Sequence, residues 1–133
     1  MSRFIIASIV ALLLTSLSDA KAWPDQPVKM VVPFAAGGTT DVMARIVAER
    51  LGARLGRPVI IENVAGAGGN NGATLVSKAR ADGYTILMAT PGQAAMNQFM
   101  YRRMPYDTAT AFVPLAYIAS VPSVLVISPA LDV

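Results

Sequence analysis

The chain has 133 residues, 54% of them hydrophobic and 14% charged, with a formal charge of +3. It is one small domain at most, and too apolar for a disordered chain. It contains neither cysteine nor histidine, which excludes disulfides, a lipid-bearing thiol, a His-dependent triad, a His–metal site and an imidazole base. Lys and Arg are scattered, with Arg102-Arg103 the one adjacent pair. A nucleic-acid binder gathers its cations on one face, so no nucleic-acid partner is expected.

Residues 1–22 read as a cleavable export signal. Arg3 supplies the positive flank, Phe4 to Leu14 is an apolar run, and Ala20-Lys21-Ala22 has the small-x-small form of a peptidase site. A spanning helix needs about 20 apolar residues, and Thr15 and Ser16 interrupt this run well before that. The mature chain is expected to begin at Trp23.

From there strand and helix patterns alternate. Pro24 and Pro27 mark an extended lead-in, and Val28 to Val32 is a buried-strand run. The loop 34–40 leads into a helix expected over Asp41 to Leu55, with Met43, Ile46, Val47, Leu51 and Leu55 as its inward stripe. Thr39 or Thr40 is expected to cap it, Asp41 to complement its positive end, and Gly56 to stop it ahead of Pro58. Pro58 to Glu62 is a second strand, 63–72 a Gly-rich loop, and Ala73 to Ala81 a short helix with Leu75, Val76 and Ala79 inward. A turn at Asp82-Gly83 precedes a third strand, Tyr84 to Ala89, then a loop 90–93 and a helix from Ala94 to Tyr101. Two more apolar strands are expected at Leu115 to Ala119 and Ser123 to Ile127. Such alternation means an α/β fold with a parallel sheet and crossover helices.

Ligands of open parallel sheets bind at the carboxyl ends of the strands. The loops 34–40, 63–72 and 90–93 lie at that edge, and the first two are glycine-rich and run into helices. Glycine lets backbone N–H groups approach a ligand closely, and a helix start leaves N–H donors unpaired beside a partial positive charge. Two such loops at equivalent edges favour an anion site over a purely structural need for tight turns. No Lys or Arg lies within the three loops, so the donors would be neutral. A nucleotide reading fails: Gly66 and Gly68 would require glycine at position 71, where Asn71 stands, and no Gly-Lys-Ser/Thr follows.

Val31-Val32-Pro33-Phe34-Ala35-Ala36-Gly37-Gly38-Thr39-Thr40-Asp41, with Ala44-Arg45, resembles the first motif of the tripartite tricarboxylate transporter substrate-binding proteins, also called Bug receptors. Three further segments match in order: Glu62-Asn63 with Gly66-Ala67-Gly68-Gly69 and Gly72; Asp82-Gly83-Tyr84-Thr85; and Met104-Pro105-Tyr106-Asp107 with Phe112 and Pro114. The resemblance implies a periplasmic-binding-protein-like lobe of the type II, Venus-flytrap kind, with 23–133 as a partial first lobe truncated before the second. It implies a periplasmic receptor without cofactor or catalytic residues. Its ligands would be small organic carboxylates, citrate-like, di- or tricarboxylate, amino-acid-like or aromatic, and its partners small and large membrane subunits. It also implies that one carboxylate is held largely by backbone amides and water. Carried over, that points to Phe34, Ala35, Gly37, Gly38, Thr39, Thr40 and Asp41, to Ala67 and Gly68, and more loosely to Thr90 and Gln93.

The family often has Pro where Ala36 stands, and its members are considerably longer, so this chain is either a fragment or a truncated product. Alone it is expected to expose apolar surface and to bind carboxylates very weakly. Asp41 faces the ligand, or caps its own helix, or receives donors from the second Gly-rich loop. Arg45 could reach an anion, but one helical turn in it is read as a surface residue paired with Glu49. Trp23 is read as an anchor for the first strand, Tyr84 as packing, and Met88, Met96 and Met100 as core. A sensing subunit that presents its closed form to a membrane kinase is the alternative function. A hydrolase or dehydrogenase lacks a base, metal ligands and a cofactor signature.

Overall fold

The computed structural model describes residues 22–122 and 124–130. The expected export segment lies outside this range except for Ala22. Three parallel strands form one sheet: β1 (Val28–Val32), β2 (Val59–Asn63) and β3 (Thr85–Leu87), in the order β2-β1-β3. β1 pairs with β2 from Val28↔Val59 to Val32↔Asn63, and with β3 from Lys29↔Thr85 to Val31↔Leu87. The central strand reads as a nearly continuous apolar run because both of its faces are covered. Val28, Met30, Val31 and Val32 are all buried.

The 2-1-3 order means that the chain steps to one side of β1 and then back across it. Right-handed crossovers therefore place successive helices on opposite faces. α1 (Thr39–Leu55) covers the face of Met30 and Val32, where Ala44, Val47 and Leu51 meet Val59, Ile61, Ile86 and Met88. α2 (Asn70–Ser77), entered through a 3-10 turn at Ala67–Gly69, comes close to the end of β1 through Gly72. A Cβ there would stand 3.0 Å from Pro33 and from the Val64 carbonyl oxygen. On that second face a half-exposed Lys29–Glu62 pair, 2.6 Å apart, joins β1 and β2. Residues Gly92–Met96 form a π turn that leads into α3 (Asn97–Met100).

Several expectations are corrected here. The inward face of α1 is set by Ala44 and Ala48, which are buried, with half-buried Gly52 one turn further on, while Ile46 is 53% exposed. Small residues let the helix lie close to the strands, which turns the large apolar side chains to the flanks. α1 begins at Thr39, its cap is Gly38 in an extended conformation, and neither threonine makes a side-chain cap bond. Its end is as expected: Gly56 is left-handed, with φ 65°. α2 starts and stops earlier than its apolar pattern suggested. Met88 packs on the core, but Met96 and Met100 are 54% and 72% exposed beside exposed Phe99.

Trp23 and Tyr84 do pack together, with ring centroids 5.9 Å apart, and the Tyr84 hydroxyl donates to Asp25 Oδ1 at 2.7 Å. This fastens the lead-in segment to the start of β3. Among the described residues no strand forms over 115–119 or 124–127, and Leu115, Val124 and Leu125 are 78%, 81% and 95% exposed. β1 is paired on both sides, and neither segment joins the outer edge of β2 or of β3 among the described residues. Ser123 of the second expected strand lies outside the described residues.

Candidate functional site

All three loops emerge at the carboxyl edge of the sheet, at the point where the strand order reverses about β1. Each is held there by side chains from neighbouring elements.

The first loop is organised around Asp41, which is 2% exposed. Its Oδ2 accepts the Gly37 N–H at 2.9 Å and Arg45 Nε at 2.9 Å; its Oδ1 accepts Arg45 Nη2 at 3.1 Å and Asn63 Nδ2 at 2.9 Å. Arg45, and after it Gly37 and Asn63, hold this carboxyl well below the usual carboxylate range, against the opposing effect of burial. Asn63 also donates to the Phe34 carbonyl at 3.1 Å, which ties the end of β2 to the loop. Gly37 takes φ 86°, a conformation glycine adopts without a Cβ penalty. The expected Arg45–Glu49 pair is replaced by Arg45–Asp41, one turn in the other direction.

With the carboxylate engaged by four donors, the groups left at this corner are neutral. Gly38 caps α1, and the Val42 N–H to Gly38 carbonyl bond, 3.0 Å, is the first of the helix ladder. The amides of Thr39, Thr40 and Asp41 therefore have no intrahelical acceptor. Gly38 and Thr39 are exposed, as is Ala35, and Phe34 and Thr40 are half-buried.

The second loop is a left-handed turn. Gly66, Ala67, Gly68 and Gly69 have φ of 118°, 50°, 62° and 90°, and Ala67 is the one non-glycine residue with positive φ among the described residues. Internal bonds run from Gly69 N–H to the Gly66 carbonyl at 2.9 Å and from Asn70 N–H to the Ala67 carbonyl. Ala67 and Gly68 are exposed, and their own N–H groups have no acceptor among the described residues.

The third loop folds onto itself and onto the second. Gln93, 1% exposed, accepts both the Thr90 N–H at 2.9 Å and the Thr90 hydroxyl at 2.8 Å on Oε1, while its Nε2 donates to the Gly68 carbonyl at 2.6 Å. Asn97, Asn70 and Tyr106 continue this buried network, and burial raises the Tyr106 phenol above its ordinary range. Asn97 and Tyr106 were not among the candidates from sequence. Their signal is weak: Gln93 and Asn97 stand four apart, two amide side chains on one helical face. A broad, open depression lined by Glu49, Gly52, Arg57, Pro58 and Ile60 lies toward the other end of β2, and none of the three loops contributes to it.

The chain is similar to several known proteins. It is 42% identical to BugT of Bordetella pertussis over 114 residues, which is 85% of this chain and 35% of BugT. An R. palustris protein solved with adipate shares 49% identity, with a TM-score of 0.64 over 66% of this chain and 29% of that one. MatC of Rhodopseudomonas palustris, solved with bound malate, shares 35% identity, with a TM-score of 0.63 over 72% of this chain and 33% of that one. The chain spans 28% to 38% of the length of the curated relatives it matches. The α/β lobe with its parallel sheet is thus the expected architecture. Residues 43–133 match the model of the tripartite tricarboxylate transporter family receptor, and the chain belongs to that family.

Proposed function

We propose that this chain supplies part of the binding cleft of an extracytoplasmic receptor for small organic carboxylates. The observation that carries the reading is the convergence of neutral donors at one sheet edge: the amides that open α1 at 38–41 and the outward amides of the left-handed turn at Ala67 and Gly68. An anion at a helix start meets partial positive charge and N–H groups together. The Thr39 and Thr40 hydroxyls and bridging water would complete the shell. The adipate and malate of two similar structures are of the chemical class such donors hold. Asp41, Thr90 and Gln93 hold the loops in this reading and do not touch the ligand, because their polar atoms are engaged and a carboxylate repels an anion.

The receptor would be exported to the periplasm and would deliver its ligand to small and large membrane subunits. The remainder of the shell would come from an opposing lobe, as the greater length of the relatives suggests. Binding by this chain alone is therefore expected to be weak. Following amide resonances while adding adipate or malate tests the reading. Saturable shifts at Gly38, Thr39, Thr40, Ala67 and Gly68, with the ligand recovered unchanged, are expected. Shifts confined to other surfaces, or turnover of the ligand, would overturn it.

A further inference from the structure

Building on the receptor reading, we propose that Gln93 and Asn97 are positioning residues whose side-chain amides grip the Gly68 carbonyl and hold the left-handed turn in its ligand-presenting shape. The observation is a single acceptor with two amide donors: Gln93 Nε2 lies 2.6 Å from the Gly68 carbonyl oxygen and Asn97 Nδ2 lies 3.2 Å from it. Both side chains are buried, at 1% and 5% exposure, so neither reaches the open edge where a ligand would sit. They act through the turn.

Each amide is anchored by further bonds. Gln93 Oε1 takes both donors of Thr90, and Asn97 Nδ2 also donates to Asn70 Oδ1 at 2.6 Å. The single proton of the Tyr106 hydroxyl is shared between Asn70 Oδ1, 3.0 Å away, and the Gln93 carbonyl, 3.1 Å away. Every buried side-chain polar atom among the described residues finds a partner. A fully satisfied buried network of this kind specifies one arrangement, and a partly satisfied one does not.

The turn needs such a grip. Four consecutive residues with positive φ include Ala67, and L-residues disfavour that region. Its other side is bounded by Tyr101, since a Cβ on Gly68 would lie 2.6 Å from the Tyr101 hydroxyl. The carbonyl of Gly68 is thus held by two amides, while the Ala67 and Gly68 N–H groups take no part in the network.

The test compares the full chain with Gln93→Met and Gln93→Glu. The first keeps the volume and removes every side-chain hydrogen bond of Gln93. The second keeps an acceptor for Thr90 but sets a carboxylate oxygen against the Gly68 carbonyl. Amide exchange and chemical shifts are read at Gly68 and Gly69, and adipate is titrated as the probe. In both variants the Gly69 N–H should exchange about tenfold faster and adipate should bind about tenfold more weakly, the equivalent of one hydrogen bond, while Gly37 and the β1 amides stay unmoved. A residue that merely filled the core would lower the unfolding midpoint and leave the Gly68 and Gly69 shifts of the folded chain unchanged; that result overturns the proposal. Should the Gln93 variants fail to fold, Asn97→Leu removes the longer arm and should give the same signature, about threefold in size. A parent chain that binds no adipate counts against the receptor reading. The Gly69 exchange rates then decide separately whether the amides hold the turn.

Discussion

Two glycine-rich turns stand at neighbouring strand ends, and different chemistry holds each. The turn after β1 is gathered around a buried charge: Asp41 collects the Gly37 amide, the Arg45 guanidinium and the Asn63 side chain. The turn after β2 is gathered around a neutral carbonyl, Gly68, gripped by Gln93 and Asn97. In the first case the side chain is the hub and the backbone comes to it. In the second the backbone is the hub and the side chains come to it. Among the described residues, both solutions leave backbone amides without a protein acceptor, and the one cation at either turn, Arg45, is paired with Asp41. A charged hub responds to pH and a neutral one does not, so the two turns can be perturbed separately.

The glycines test the comparison most strongly. Gly69 and Gly37 both have positive φ, but their surroundings differ. A Cβ on Gly69 would run into the Gln93 side chain amide, which the network holds in place, whereas one on Gly37 meets nothing within 4 Å. Gly69→Ala is expected to cost about 2–4 kcal/mol, from backbone strain together with overpacking. Gly37→Ala should cost only the strain, about 1 kcal/mol. Urea unfolding of the two variants measures the difference, and equal costs would mean that the network does not wall in the second turn.

Asn63→Ala is expected to have an intermediate effect. It removes the donor to the Phe34 carbonyl and to Asp41 Oδ1, and two lost bonds of this kind cost about 1–2 kcal/mol in net stability. The shifts of Gly37 and Gly38 should move with it while those of Gly68 and Gly69 stay. Movement at both turns would show that they are coupled through the end of β2.

The strands and their connections were legible because their signals are local. Val28 to Val32 is apolar throughout, Gly56 and Pro58 end α1, and the two Gly-rich stretches follow strands. What the pattern missed depends on approach distance and burial. The apolar residues of α1 favour a face through Ile46, yet close packing on a parallel sheet selects Ala44 and Ala48. Arg45 has acidic residues one turn away on either side, Asp41 and Glu49, and spacing does not choose between them. Burial of Asp41 does. The grip of Gln93 and Asn97 on Gly68 joins positions 25 and 29 residues apart, which no short motif announces. The terminal apolar runs have strand composition, but pairing is a tertiary event: among the described residues neither run joins the outer edge of β2 or β3, and both lie exposed.

Acid should separate the two turns. The Asp41 carboxyl in the folded chain lies below its ordinary range, held there first by Arg45. A depressed carboxyl contributes stability that is complete above the unfolded value, about pH 4, and is lost as pH falls through the folded value. The contribution should therefore be flat from pH 7 to about 4 and decline below that. Protection of the Gly37 amide should fall in that acid range, after correction for intrinsic exchange. Protection of Gly69 should not, because Gln93, Asn97 and Asn70 do not titrate. Asp41→Asn should remove the acid dependence, and a Gly37 profile that still followed pH in that variant would place the titrating group elsewhere.

The smallest effect on stability, and the sharpest on ligand contact, is expected at Gly38. Its backbone, φ −76° and ψ 167°, is extended, and a Cβ there would meet only the Ala35 carbonyl at an ordinary 3.6 Å. Nothing in the fold requires glycine at this position. Serine is a favoured cap because its hydroxyl accepts an N–H two or three residues on, here that of Thr40 or Asp41. Gly38→Ser should thus stabilise α1 by a few tenths of a kcal/mol. The same bond would occupy a donor that the receptor reading assigns to the ligand, and the added side chain would stand where an anion approaches. Adipate binding should weaken while the unfolding midpoint rises slightly, an opposition that simple damage to the fold does not produce. Binding unchanged in a slightly stabilised Gly38→Ser chain would mean that the amides opening α1 are not ligand donors, and that the left-handed turn after β2 holds the anion without them.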